Sequence, residues 1–205
     1  MSRADIVIFF GGSFNPPHNS HLNMAQMAIE HAIQKKKKPV LYFLPTAAAP
    51  HKKKSNVSFL HRFRMLRLLL NENEFVKRYA KISVLERYLP KPNYTIQVLQ
   101  KLKGYCPNTD FVFLLGQDMF EALPNWYKPE EIAKLVTFWV IPRHSKNIHI
   151  PKIPFLQYEV LPEFAGFESS TQARQDAFRK NVRSLQKELP ESVYHYIQKH
   201  HLYES

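Results

Sequence analysis

Short apolar runs alternate along the chain with longer stretches in which apolar residues recur every three or four positions. The runs at Ile6 to Phe10, Val40 to Leu44, Ile82 to Leu85, Phe111 to Leu115, Val136 to Ile141 and Leu156 to Leu161 predict strands. Several are apolar at every position, as a parallel sheet covered by helices on both faces requires. After the first run, Leu22, Ala25, Ala28, Ile29, Ala32 and Ile33 fall on one face of a helix from about Ser20 to Gln34. The same spacing predicts helices over Leu60 to Leu70, Thr95 to Lys103, Pro129 to Leu135, Thr171 to Leu185 and Glu191 to His200. Strand and helix alternating in this way, without an internal repeat, predict an α/β protein. In such folds ligands sit at the carboxyl ends of the strands, where strand order reverses.

Composition narrows the class. At 205 residues, 44% apolar and 13% aromatic, the chain has material for one sizeable core. No apolar run approaches the ~20 residues of a membrane span, and the start "MSRADIVIFF" lacks the pattern of a secretory leader, so a cytoplasmic protein without a membrane partner is expected. Cys106 is the only cysteine, which rules out an internal disulfide and a thiolate metal cluster. The formal charge of +12 favours anionic partners, with nucleotides, nucleic acid and acidic lipid all eligible. Part of that charge is clumped. The run Lys35 to Lys38 reads as the solvated end of a helix, whereas His51 to Lys54 reads as a loop in which a ligand contact stays open.

The stretch with most chemistry is "FFGGSFNPPHNSHLNM", residues 9 to 24. Gly11 and Gly12 let the backbone turn sharply and approach a ligand, and Pro16 and Pro17 delay the helix until Asn19 or Ser20 can cap it. The free amides at that helix start make an anion site, and His18 and His21 share its first turn. The segment lacks the Gly-Lys-Ser/Thr of a P-loop and the glycine spacing of a dinucleotide fingerprint. Metal ligation by the histidine pair finds no Glu, Asp or third His at ligand spacing. A tight turn with two surface histidines is the plain alternative.

"GGSFNPPHNSHL" closely resembles the GGTFDPxHxGH segment of the nucleotidyltransferase superfamily, and more narrowly that of the bacterial nicotinate mononucleotide adenylyltransferase family. Further similarities follow in order: "LPTAAAPHK", "RYLPKPNYTIQVLQKL", "FLLGQDMFEALPNWYKPEEI", "VIPRHS", "ESSTQAR" and "LPESVYHYIQKHHLY". The first and sixth mark the superfamily; "GQD" followed by "NWY", with the tail, narrows it. The resemblance implies a single domain over residues 1–205, a Rossmann-like doubly wound, mostly parallel sheet flanked by helices, whose C-terminal helices (about 169–203) complete the ATP site. It also implies adenylyl transfer from ATP to nicotinate mononucleotide in NAD biosynthesis, with magnesium accompanying ATP and no nucleic acid as partner.

The implied roles fall on named residues. His18, His21 and Arg174 are the catalytic set. Gly11, Gly12, Ser13, Phe14, Ser169, Ser170 and Thr171 join those three around ATP. Asp118 at a strand end is expected on a ribose, Trp126 against the pyridine ring, and the backbone amides at Thr95 and Tyr127 on the substrate carboxylate, with Lys52 of the basic loop adding charge. Taken alone, "SSTQAR" is only a capped helix and Asp118 a helix cap for "MFEAL". The chain departs from the family pattern at several positions. Asn15 stands for Asp, Ser20 for Gly, Ala47 for a common Asn, and Glu168 and Ala173 for two isoleucines of ISSTxIR. Other adenylyltransferases, acting on nicotinamide mononucleotide or phosphopantetheine, are the neighbouring alternatives, and a non-catalytic nucleic-acid binder is the remote one. Oligomeric state is left open.

Overall fold

The computed structural model describes residues 4–47, 57–105, 107, 109–143, 147–163, 169–179 and 181–204. Within them the strands are β1 (Ile6–Gly12), β2 (Pro39–Pro45), β3 (Ala80–Ile82), β4 (Asp110–Gly116), β5 (Thr137–Ile141) and β6 (Tyr158–Val160). The helices are α1 (Asn19–Gln34), α2 (Phe59–Asn71), α3 (Glu74–Tyr79), α4 (Thr95–Tyr105), α5 (Gln117–Glu121), α6 (Pro129–Ala133), α7 (Ser170–Phe178), α8 (Val182–Glu188) and α9 (Glu191–Lys199). All neighbouring strands pair in parallel, in the order β3-β2-β1-β4-β5-β6. This is the doubly wound α/β arrangement, and its order reverses between β1 and β4.

The all-apolar strands divide their side chains between two cores because successive residues point to opposite faces. Ile6, Ile8 and Phe10 of β1, with Val112 and Leu114 of β4 and Trp139 and Ile141 of β5, face α1, α2, α3 and α7 to α9. Val7 and Phe9, with Phe111, Phe113, Leu115, Phe138 and Val140, face α4 to α6. Burying both faces is what makes the strand sequences read as continuous rather than alternating. Among the described residues, no helix is long and apolar enough to cross a membrane.

Three departures from the sequence pattern have a visible cause, and the last strand is also shorter than expected, Tyr158–Val160 against Leu156 to Leu161. The third strand is Ala80–Ile82, not Ile82 to Leu85. Ser83 makes the last bond to Phe43, and its side chain accepts the Leu85 amide, turning the chain into the 3-10 turn Leu85–Tyr88. The long helix expected from Thr171 to Leu185 is two helices, because Asn181 accepts the Ser184 amide and starts α8. Asp176 secures the break, accepting from Gln172, Asn181 and Ser184. The short helix α3 is unannounced by periodicity and begins where Asn73 caps the Val76 amide.

Candidate active site

β1 ends in the crevice at Gly11 and Gly12, and aromatic rings explain why both lack a side chain. A Cβ on Gly11 would lie 2.9 Å from Cζ of Phe113, and one on Gly12 would lie 3.0 Å from Cζ of Phe14. Phe14 itself turns the chain with a left-handed backbone, φ 47°, and is buried against Phe10, Phe43 and the edge of His21. Residues 13–16 therefore run across the top of an aromatic cluster.

The helix cap lies one residue before the expected Asn19 or Ser20. His18 is the N-cap of α1, extended at φ −143°, and its carbonyl accepts the His21 amide at 3.0 Å. In return His18 N–H donates to Nδ1 of His21 at 3.2 Å. An Nδ1 that accepts leaves the proton of the neutral ring on Nε2, so His21 has an N–H to offer a ligand. The two rings lie 3.7 Å apart, centroid to centroid. His18 is buried, and its Nδ1 has no hydrogen-bond partner among the described residues.

Both imidazoles resist protonation. Burial, and then the Arg143 guanidinium, hold His18 down at about 3. Burial, His18 and Arg143 together hold His21 well below the usual histidine value. The pair is thus neutral at physiological pH in the free protein. An arriving polyanion would oppose the smaller contribution of Arg143 and leave that of burial.

The two halves of the candidate ATP site meet. Ser169 caps α7 by accepting the Gln172 amide at 3.1 Å, while the Ser170 hydroxyl donates to the Pro16 carbonyl at 2.8 Å. Arg174 reaches the same loop: Nη1 donates to the Asn15 carbonyl at 2.7 Å and Nη2 to Oγ1 of Thr171 at 3.1 Å. The guanidinium fork assigned to phosphate by resemblance is thus engaged with the histidine loop in this structure.

On the other side of β1, Trp126 follows the 3-10 turn Leu123–Asn125, half-buried with its ring edge-on to Phe113 at 5.7 Å. Phe113 is the ring that Gly11 accommodates, so one aromatic side chain joins the glycine turn to the tryptophan. Tyr127 is exposed and packs on Tyr94, centroids 4.3 Å apart. Tyr94 immediately precedes Thr95, so that contact links the two segments whose amides, at Thr95 and Tyr127, were assigned to the carboxylate. Thr95 is the first residue of α4, so its amide has no place in the helix ladder. Asp118 lies in the first turn of α5 but does not cap it; Gly116 holds that position, and the carboxylate pairs with Arg143 at 2.7 Å. Lys52 lies outside the described residues.

Several site residues escaped the sequence reading. Arg143, at the end of "VIPR", donates its amide to Oε1 of Gln117 and holds Asp118. Buried Arg62 of α2 bridges the ends of β1 and β2, donating to the carbonyls of Ser13 at 2.7 Å and Thr46 at 2.8 Å. Glu86 accepts the Ala47 amide at 2.9 Å, and burial pushes its carboxyl up to about 7 against the pull of that amide and Arg62. Tyr203 donates to Oδ1 of Asn15 at 2.6 Å. Arg143 and Tyr203 had a signal, each the place of a residue in a quoted motif, whereas Arg62 lies in an ordinary amphipathic helix and Glu86 just past an expected strand.

Comparison with known proteins gives a consistent answer. Residues 9–183 match the cytidylyltransferase-like family. The nicotinate-nucleotide adenylyltransferase of Bacillus subtilis is 34% identical over 197 residues, covering 96% of this chain and 97% of the relative. The fold also matches the nicotinic acid mononucleotide adenylyltransferase of Plasmodium falciparum, solved in complex with NaAD, with a TM-score of 0.78, 21% identity and 98% of each chain covered. The same Plasmodium enzyme solved with APC gives a TM-score of 0.78 at 22% identity. With a relative matched end to end at that identity, and the glycine turn, histidine pair and α7 arginine assembled at one crevice, the chain belongs to the nicotinate-nucleotide adenylyltransferase family.

Proposed function

We propose that the protein transfers AMP from ATP to nicotinate mononucleotide, giving nicotinate adenine dinucleotide and pyrophosphate in NAD biosynthesis in the cytoplasm. A mononucleotide phosphate oxygen forms a bond to the α-phosphorus of ATP while the bond from that phosphorus to the bridging oxygen breaks, and pyrophosphate leaves with the electron pair. The nucleophile is already an anion, so no general base is needed. Catalysis then consists of alignment and stabilisation of charge on the transferring and leaving phosphates.

The observation that carries this reading is the histidine pair at the start of α1, where Nδ1 of His21 accepts the His18 amide and Nδ1 of His18 has no partner among the described residues. His21 donates to a phosphate oxygen, and first-turn amides of α1 supply further donors in the same direction. Ser170 and Arg174 bring α7 to the same loop, with Thr171 accepting from Arg174, and residues 169–203 complete the ATP side within one domain. Trp126, Tyr127, Thr95 and Asp118 form the mononucleotide side, with Lys52 adding charge.

Magnesium, which neutralises the triphosphate when bound, fits this site as an ion carried by ATP. Among the described residues no group of three or more His, Cys, Asp and Glu could hold an ion, and Asp118 is paired with Arg143. The phosphates themselves would supply its ligands.

The test is pyrophosphate release from ATP with nicotinate mononucleotide, nicotinamide mononucleotide and phosphopantetheine as separate acceptors. Hydrogen bonds to a charged group contribute about 1.5–3 kcal/mol, so two fixed amides on the carboxylate should favour the nicotinate form by roughly one to two orders of magnitude in kcat/KM. Equal efficiency with both mononucleotides would remove the substrate assignment and leave adenylyl transfer standing. The absent side-chain amide at Ala47 would narrow the preference if such an amide positions substrate.

A further inference from the structure

The histidine loop cannot hold itself. Pro16 and Pro17 have no backbone N–H, so the loop is poor in donors for its own carbonyls, and those carbonyls must be satisfied from elsewhere. Three long-range donors do this: Arg62 on Ser13, Arg174 on Asn15 and Ser170 on Pro16. The fourth contact differs in kind. The Tyr203 hydroxyl, 188 residues away in sequence, donates to the side chain of Asn15 at 2.6 Å.

We propose that Tyr203 is a positioning residue for adenylyl transfer: its hydroxyl fixes Asn15, and through residues 15–18 sets the placement of His18 and His21. This rests on the functional reading above. The tail is built to present that hydroxyl. Beyond α9 the chain reverses through His201, φ 48°, with the amides of His201 and Leu202 closing on the carbonyls of Gln198 and Ile197. Leu202 is buried in the core shared by α2 and α9, and the Tyr196 hydroxyl meets Nδ1 of His61 on α2 at 2.9 Å. The next residue on α2 is Arg62. One rigid unit therefore holds both the Ser13 carbonyl and the Asn15 side chain.

The charges around the hydroxyl fit a donor role. Burial pushes the phenol up, and the nearby guanidinium groups of Arg174 and Arg62 pull it back without overcoming burial. The hydroxyl keeps its proton throughout the working pH range. The family pattern has aspartate at position 15, also an acceptor; the amide oxygen of Asn15 keeps the acceptor without the negative charge.

Tyr203→Phe removes the hydroxyl and keeps the ring. We expect kcat to fall about tenfold, with KM for nicotinate mononucleotide within twofold of wild type, because Trp126 packs in the core on the opposite face of the sheet from Phe14 of the loop. Asn15→Leu should give the same loss, and the double variant no further loss, as for two groups in one contact. In the free protein, imidazole NMR signals of His18 and His21 should move in Tyr203→Phe while those of His195 stay. The proposal is overturned by wild-type kcat in Tyr203→Phe, by losses that multiply in the double variant, or by unmoved His18 and His21 signals. It is equally overturned by a parallel rise in KM for both substrates, which would mark general loosening. Absence of turnover in the wild-type protein would instead defeat the functional reading, while the NMR comparison still judges Tyr203.

Discussion

The two ends of the sheet treat positive charge in opposite ways. At the amino end, where α1, α4 and α6 finish, a groove of about 540 Å³ is lined by Lys35, Lys37, Lys103, Lys134, Phe155 and Glu159 among others. Three of its lysines answer oxygens of the protein: Lys35 pairs with Glu159 at 2.7 Å, Lys37 with Asp110 at 3.2 Å, and Lys103 donates to the Thr109 carbonyl, while Lys134 lies over the Phe155 ring. The helix ends there present carbonyls and partial negative charge, which repel an anion. At the carboxyl end, Arg62, Arg143 and Arg174 also bind the protein's own oxygens, Arg143 on Asp118 and the other two on the loop that leads into the histidine pair and the free amides of α1. Helix polarity thus makes this lysine-lined groove the less favourable end for a phosphate.

The largest effect that would break this contrast is on turnover. His21→Ala should lower kcat by about 10²–10³, the usual consequence of losing one preorganised donor to developing charge, with a smaller change in ATP binding. His18→Ala should also lower kcat. A folded His21→Ala protein with most of its activity would end the assignment of the carboxyl end as the phosphate site.

Next is a stability effect that belongs to the carboxyl end alone. Glu86 has its carboxyl raised from 4.5 to about 7 by burial. The folded protein therefore holds a proton there that the unfolded chain releases, so this contribution is complete below pH 4.5 and lost as pH rises through 7. At about 1.4 kcal/mol per unit, the loss is on the order of 3 kcal/mol. Glu86→Gln, whose amide oxygen still accepts from Ala47, should match wild type near pH 4 and exceed it by about that amount at pH 8. Denaturant unfolding at the two pH values checks this. The histidine pair acts with the opposite sign. With His18 depressed to about 3, its contribution is complete above pH 6.5 and is lost as pH falls. The Glu86 effect must accordingly be read as variant minus wild type at each pH.

How far the sequence disclosed this site depends on the range of each interaction. Six strands, the parallel sheet and the strand-end location follow from local periodicity, because burial on both faces leaves an unbroken apolar signature. The glycines, the histidines and the α7 start lie within short motifs, so resemblance could pick them out. Arg62, Glu86 and Tyr203 act across 16 to 188 residues of chain on carbonyls, an amide and one side chain. Neither periodicity nor a short motif encodes such a pairing. Arg174 shows the same limit from the other side: the motif marked the residue, and only the structure showed its fork on Asn15 and Thr171. The split between α7 and α8 was hidden because Asp176 and Asn181 break a helix by hydrogen bonds without disturbing the apolar spacing.

Within the carboxyl end, Trp126→Ala tests whether the mononucleotide and ATP sides are separable. Stacking adds about 0.5–1.5 kcal/mol beyond area burial, which should raise KM for the mononucleotide severalfold and leave KM for ATP nearly unchanged. The ring also meets Phe113, which fills the space beside Gly11. An equal rise for both substrates would show that this aromatic bridge transmits the loss to the glycine turn, and that the indole supports the fold more than it holds a pyridine.

The smallest effect should come from the amino end, and it sharpens the contrast most directly. Lys35→Gln and Lys37→Gln each delete a cation from the groove. Their partners are only partly covered, with side-chain exposures of 33% for Glu159 and 64% for Asp110. Exposed ion pairs contribute about 0.2–1 kcal/mol, and Glu159 retains His31 at 2.9 Å after Lys35 is gone. Stability should therefore change by no more than about 0.5 kcal/mol per site, measured by denaturant unfolding at low salt. Turnover and both KM values should be unchanged, since the groove opens at the opposite end of the strands from His18 and His21. Long-range attraction of an anionic substrate by the whole basic protein is the one route by which these lysines could act, and added salt would suppress it. A fall in kcat/KM of more than twofold at low salt, vanishing at high salt, would show that the amino end steers substrate even though it does not bind it. A fall that persists at high salt would place a ligand in the groove itself and break the assignment of the two ends.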